Sequence, residues 1–164
     1  MALFDHVILP KHGVITIEDA TGILATIAYE EGNFQHSDLQ AGYMNAEKFK
    51  DRGMDFVMAE TDEQDIDISF DCYATDFADA TEKTVPDAIM GTGAFSGGTS
   101  VFGAGRPWGV KITFTATQTP YGASANSTII FSKVRPSYAF AEGKPGRFSI
   151  KGQVFSPTTT ITRS

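Results

Sequence analysis

The sequence predicts a mainly β fold, a sandwich or barrel with one short flanking α-helix. Three observations predict it. Apolar and polar residues alternate along several short runs. Those runs are filled with Thr, Ile, Val and Phe, which suit a pleated, half-buried surface. Signals for helix ends are confined to two short segments.

The elements follow in chain order. Met1–Gly13 reads as an arm. Val14–Glu18 alternates, Asp19-Ala-Thr-Gly22 offers a turn with glycine where positive φ is cheap, and Ile23–Tyr29 resumes the alternation, which makes a β-hairpin. Tyr29–Gly42 is a long polar connection. Asn45–Arg52 before Gly53 has helix-like ends, yet Phe49, Phe56 and Met58 fit strands equally well, so both readings stand. Ile66–Tyr73 is the cleanest strand, with Ile66, Ile68, Phe70 and Cys72 opposite Asp65, Asp67, Ser69 and Asp71. Thr84-Val-Pro-Asp87 has the form of a capping box, with Pro86 in the first turn and Gly91 and Gly93 stopping the helix. Ala94–Gly105 is glycine-rich and reads as a mobile loop whose end Trp108 anchors. Val110–Thr117 alternates cleanly. Ser127–Val134 is apolar on both faces, as in a strand covered on both sides. Arg147–Phe155 puts Phe148, Ile150 and Val154 inward, and Ser156–Ser164 reads as a threonine-rich tail. No repeat and no second domain is evident, so residues 1–164 read as one domain.

The chain has 164 residues, with 41% hydrophobic and 20% charged, which is the composition of a folded protein. The start, MALFDHVILPKHG, lacks the features of a signal peptide, and no apolar run is long enough to insert in a membrane. The single Cys72 allows no internal disulfide and fits a reducing cytoplasm. The formal charge of -7 conceals two sectors. Residues 1–100 hold 19 of the 20 acids and 5 of the 13 basic residues; residues 101–164 hold one acid, Glu142, and 8 basic residues. An acidic chain repels DNA, which excludes a conventional nucleic-acid binder. The two sectors either neutralise each other inside one fold or pair between copies.

No catalytic constellation emerges. His6, His12 and His36 fall in loops without partners at metal-ligand spacing. Cys72 lies on the apolar face of a strand, where a small buried thiol is expected. Asp65, Asp67 and Asp71 share one face of a strand. Such a row is either a solvated polar face or an acidic wall on a shared channel; the glycine turn of a calcium loop is missing. Gly97-Gly98-Thr-Ser and Gly103-Ala-Gly105-Arg106 are superficially similar to phosphate loops but match neither GxxxxGK[ST] nor a GxGxxG between strand and helix. No catalytic residue, metal or cofactor is expected.

Several pieces together resemble a known family. They are the hairpin turning at Asp19-Ala-Thr-Gly22, Asp51-Arg-Gly53 ahead of the strand Asp65–Tyr73, the short helix Val85–Met90, the paired strands after it, and Phe140-Ala-Glu-Gly-Lys-Pro-Gly-Arg-Phe-Ser-Ile-Lys-Gly152. From about Val14 to Phe155 the chain resembles the major tail tube proteins of long-tailed bacteriophages, a group also similar to the type VI secretion tube protein. The resemblance implies homohexameric rings, strands joined around the ring, and rings stacked into a hollow virion tube. It implies assembly in the host cytoplasm with tape-measure and tail terminator proteins, and transient passage of DNA without specific binding. An acidic bore makes physical sense for such a conduit. Glu18, Asp19, Asp65, Asp67 and Asp71 are the lumen-facing candidates, and Phe34, Phe95, Phe102 and Tyr121 the inter-subunit and inter-ring candidates. The alternatives are another ring-forming tail component of the terminator type, a type VI tube subunit, or a small-molecule-binding β-barrel or enzyme.

Overall fold

The computed structural model describes residues 13–27, 33–37, 39, 44–51, 55–63, 66–119, 125–155 and 160–163; for 44–51, 55–63 and 163 only the backbone is described. The elements are β1 (Gly13–Glu18), β2 (Leu24–Ile27), β3 (Gln35–His36), β4 (Met44–Asp51), β5 (Asp55–Glu63), β6 (Ile66–Tyr73), α1 (Val85–Met90), β7 (Val110–Ala116), β8 (Ser127–Ala141), β9 (Arg147–Val154) and β10 (Thr160–Arg163). A 3-10 turn spans Gly93–Phe95. The order of the main sheet is β2-β1-β7-β8-β9-β6-β3, with β10 along β8 and every pairing antiparallel. The fold is therefore mainly β with one short helix, and the sheet does not close into a barrel.

Register follows the alternation. Ile66, Ile68, Phe70 and Cys72 of β6 lie opposite Val154, Gly152, Ile150 and Phe148 of β9, and all eight are buried. Ile15 and Ile17 of β1 lie between Ile27 and Ala25 on one side and Phe114 and Ile112 on the other. The sheet curls over this apolar face. Phe34, leading into β3, stacks on Phe114 of β7 with centroids 4.7 Å apart, though β3 and β7 stand four strands apart in the order. Burying a side chain such as Phe70 or Phe131 contributes about 1.5–3 kcal/mol.

Strand β8 is longer than its sequence suggests. Phe131 and Val134 are both buried although three residues apart, because an irregularity in the β7 pairing inserts one residue between them. That bulge brings Val134 onto the face of Phe131, out of step with simple alternation. Beyond it β8 continues through Pro136. Lys133 O accepts from Phe155 N at 2.7 Å, so alternate residues after Lys133 turn their peptide groups to β9. Pro136 falls in the other set. Its missing N–H faces the side where β7 has already ended at Val110, opposite Val134, and a proline is tolerated there.

The helix is built as its sequence indicates, with a change of partner. Thr84 Oγ1 accepts from Asp87 N at 3.3 Å but donates to Asp87 Oδ2 at 2.8 Å, so the carboxylate holds the hydroxyl of the cap. Gly91 ends α1 at φ 69, and its N–H bonds to Asp87 O. Trp108 Nε1 donates to Ala88 O at 2.9 Å, as expected of an anchor.

Three expectations change. The open choice for Asn45–Arg52 resolves to strand: β4 and β5 form a separate two-stranded ribbon. Within the threonine-rich tail, Thr160–Arg163 forms a strand that pairs with Ser127–Ile130, an element the alternation did not indicate. Ala94–Gly105 is a pinned strap: Phe95 is fully buried, Ala20 N bonds to Thr99 O, and a Cβ at Gly98 would run into Asp19 Oδ2. The N-terminal arm before Gly13 lies outside the described residues.

Candidate functional site

The polar outer face of β3, β6, β9 and β8 gathers the charges that sequence separates. Three rows cross it: Gln35, Ser69, Lys151 and Ser137; Asp67, Gln153 and Arg135; Asp71, Ser149 and Ala139. A cavity of about 740 Å³ opens on this face, lined by Gln35, Asp67, Arg135 and Lys151 among others. Asp67 is exposed, and its N–H bonds to Ser37 Oγ at 2.9 Å. Asp71 is half-buried; Asn33 Nδ2 donates to its carboxylate at 2.7 Å and Asn33 Oδ1 accepts from its N–H at 3.0 Å. Sequence places both acids on a polar face, and they are there. They do not form an unbroken acidic wall, because Lys151 and Arg135 stand among them. Asp65 lies outside the described residues.

The other acids have different duties. Glu18 Oε2 meets Lys111 Nζ at 2.5 Å across β1 and β7. The two charge sectors therefore meet inside one fold along the β1–β7 and β6–β9 pairings. Asp19 is a correction: it is 3% exposed and faces no open bore. Its Oδ1 accepts from Thr21 N and Ile23 N, and its Oδ2 from Thr21 Oγ1 and Thr99 N. Burial raises its carboxyl, and these four hydrogen bonds outweigh burial, so it sits below the ordinary carboxylate value.

Asp87, which no functional motif flags, is fully buried. It accepts from Asp79 N at 2.9 Å, Thr92 Oγ1 at 2.7 Å and Thr84 Oγ1 at 2.8 Å. Burial again opposes ionisation, and the hydrogen bonds again win, leaving its carboxyl below the ordinary value. Burial, then the nearby charge of Asp71, pushes the Cys72 thiol up to about 11, which disfavours a nucleophilic thiolate. His36 is exposed on β3, and His6 and His12 lie outside the described residues. Among the described residues no group of three or more potential ligands gathers for a metal.

The aromatic candidates also separate. Phe95 is fully buried and so is a core residue, not a contact between copies. Phe34 is half-buried against Phe114, Phe70 and Phe131. Phe102 packs edge-on to Phe155, and Phe155 is itself exposed. Tyr121 lies outside the described residues. The sequence reading missed another exposed pair, Phe77 and Phe140, which are 50% and 45% exposed and pack edge-on to each other at 4.9 Å. Alternation along β8 beyond Pro136 was the available signal for Phe140.

This patch borders an open edge. Pro136, Tyr138 and Phe140 turn their peptide groups away from β9, and among the described residues no strand pairs with that side of β8 beyond Val134 or with the outer side of β2. Unpaired strand edges are templates for another chain.

No protein-family model matches the chain, and no curated protein matches it by sequence. Solved structures match its fold. One chain is from the sheath/tube terminator of PVC, an extracellular contractile injection system, in the extended state. It aligns over 98% of this chain and 99% of its own, with 11% identity and a TM-score of 0.62. A chain from the PVC sheath-tube complex in the extended state aligns over 98% and 94%, with 10% identity and a TM-score of 0.62. A chain from the tube-terminating cap of the anti-feeding prophage aligns over 100% and 96%, with 10% identity and a TM-score of 0.63. The chain thus has the fold seen in tube assemblies of contractile injection systems.

Proposed function

We propose that this chain is a ring-forming structural subunit of a tail-type tube, of the terminating or capping kind, with no catalytic turnover. The observation that carries the reading is the end-to-end likeness to chains from a tube terminator and a tube cap, which spans 98–100% of this chain. Open edges on β2 and β8 support it, because a sheet with unsatisfied edges is completed by copies of itself, and a closed ring removes the edges by symmetry.

A second reading is favoured by the sheath-tube match: hexameric rings stacked as the shaft of the tube. In that reading the face bearing Asp67 and Asp71 lines the bore, and DNA or other cargo passes without binding. Tape-measure and terminator proteins would then be its partners, and the virion or particle its location after assembly in the host cytoplasm. Mixed charge on that face weakens repulsion of phosphates relative to an all-acidic bore, which favours the first reading.

Negative-stain electron microscopy with light scattering on the purified chain separates the readings. Discrete single rings support the terminating or capping subunit. Hollow rods support the shaft subunit. A monodisperse 17.7 kDa monomer at high concentration removes both.

A further inference from the structure

We propose that copies of this chain join through a parallel strand pair, the outer edge of β2 in one copy lying along the outer edge of β8, from Pro136 to Phe140, in the next. The proposal rests on the ring-forming reading above and goes beyond it by fixing which edges meet, in which direction and in which register.

The bonds already made define both edges. Asp19 N bonds to Ile23 O, so Ile23, Ala25 and Ile27 turn their peptide groups to β1, while Leu24 and Thr26 turn theirs outward. On β8, Pro136, Tyr138 and Phe140 turn outward. Among the described residues no backbone hydrogen bond reaches the amides of Leu24, Thr26, Tyr138 or Phe140. Soluble proteins guard such edges with charged residues. Leu24–Ile27 and Tyr138–Ala141 carry none. Of the other open edges among the described residues, β3 is two residues long and β10 ends on Arg163.

Direction follows from the face to which each outward peptide belongs. The outward residues of β8 lie on its core side, where Tyr138 and Phe140 pack against Phe148. The outward residues of β2 lie on its solvent side, since Ala25 and Ile27 are the buried ones. In an antiparallel pair, residues that exchange hydrogen bonds stand opposite each other and share a face. That would lay the buried Ala25 and Ile27 of one copy against the polar side of β8 at Ser137 and Ala139. In a parallel pair, each outward residue bonds to the two residues flanking its opposite number, and those lie on the other face. Tyr138 then stands opposite Ala25 of the neighbouring copy, and Phe140 opposite its Ile27. Core continues into core, and solvent side into solvent side. Tyr138 N donates to the neighbour's Leu24 O, and Phe140 N to its Thr26 O. The neighbour's Leu24 N and Thr26 N donate to Pro136 O and Tyr138 O. The hydrogen that Pro136 lacks would have been aimed at the neighbour's Gly22 O, in the turn, where φ is 92 and β2 has not yet begun. Phe140, 45% exposed in the single chain, gains the neighbour's Ile27 as cover. The pair joins two different edges, so each copy keeps one for the next, as a closed ring requires.

Cysteine pairs read the register in the full-length chain. The unmodified chain, whose Cys72 is buried, is the unlinked control. Single variants are mixed in twos, assembled, oxidised with copper phenanthroline and run on a denaturing gel. Thr26→Cys with Ala139→Cys, and Leu24→Cys with Ser137→Cys, are opposed on the solvent side and are expected to give covalent dimers that neither variant gives alone. Leu24→Cys with Phe140→Cys, neighbours only in the antiparallel arrangement, is expected to give none. Thr26→Pro removes one outward N–H and no bond to β1. By electron microscopy and sedimentation it should raise the concentration needed for assembly about tenfold or more. A link from the Leu24 and Phe140 mixture overturns the parallel pair. Assembly with neither of the expected links, or a folded Thr26→Pro chain that assembles at the unmodified concentration, overturns the junction. In each case the ring-forming reading stands. If the unmodified chain never assembles, that reading falls and the junction with it. Circular dichroism identifies a proline variant that has lost its fold, and the cysteine mixtures then decide.

Discussion

The acidic half of the chain contains two kinds of carboxylate, and the strap region and the β6 face show the difference. In the strap region, Asp19 and Asp87 are buried, and each collects three or four donors from turns, threonines and the Gly93–Thr99 backbone or its flanks. On β6, Asp67 is exposed to the polar cavity, and Asp71 takes one partner from Asn33. Sequence charge density treats the four alike. The structure separates acids that fix the fold from acids left on an open polar face.

The largest expected effect comes from Asp87→Ala. It strands Asp79 N and two threonine hydroxyls in a buried site, and should cost about 3 kcal/mol, read from urea denaturation. Equal stability in the variant would mean that the site rearranges and that the contrast with β6 is false.

Next is Asp19→Ala, with a loss of about 2 kcal/mol from the turn and the strap together. Gly98→Ala should also destabilise, because its Cβ meets Asp19 Oδ2. In a double-mutant cycle the Gly98→Ala penalty should shrink when Asp19 is already Ala. Strict additivity would show that the two do not touch in solution.

The pH dependence sharpens the same contrast. Both buried carboxyls lie below the ordinary 3.8 when folded, so they release protons more readily in the folded chain. Their contribution is fully present above that value and disappears as pH falls through the folded values. Denaturation midpoints should stay flat near neutrality and drop below about pH 4. Asp19→Asn with Asp87→Asn should flatten that drop; an unchanged acid slope would assign it to other groups.

The smallest effects on stability belong to β6. Asp67→Lys should change stability by no more than about 0.5 kcal/mol, and Asp71→Lys by about 1 kcal/mol through loss of the Asn33 pair. In the ring-forming reading their readout is assembly, and in the shaft reading particle infectivity. Normal infectivity with both reversed would remove β6 from any bore.

Much of the fold was legible because one face of β1, β6, β7 and β9 is buried and the other is not, which forces a period of two. The helix was legible from Thr84, Pro86 and Gly91. The ribbon was not, since apolar residues on both its faces erase that period. Nor was the end of β8, where Pro136 reads as a stop and is tolerated only because β7 has ended. The strap looked loose because its glycines are plentiful; Gly98 is small to admit Asp19, a reason that only the packed structure reveals. For the site, alternation found Asp67 and Asp71, but no local pattern could tell that Lys151 and Arg135 would come to lie beside them. The Asp-Ala-Thr-Gly turn did carry a signal for Asp19, whose side chain can close such a turn on its own backbone.

Pro136 has one more consequence. It stands at the inner end of the exposed stretch of β8 and offers no hydrogen to whatever strand arrives there. An arriving strand that slides inward past it forfeits a bond, while one that begins at Tyr138 does not. If copies pair along this edge, as the ring-forming reading requires, the imino acid would work as an index mark, setting where a foreign strand starts counting and so the angular offset between one molecule and the next.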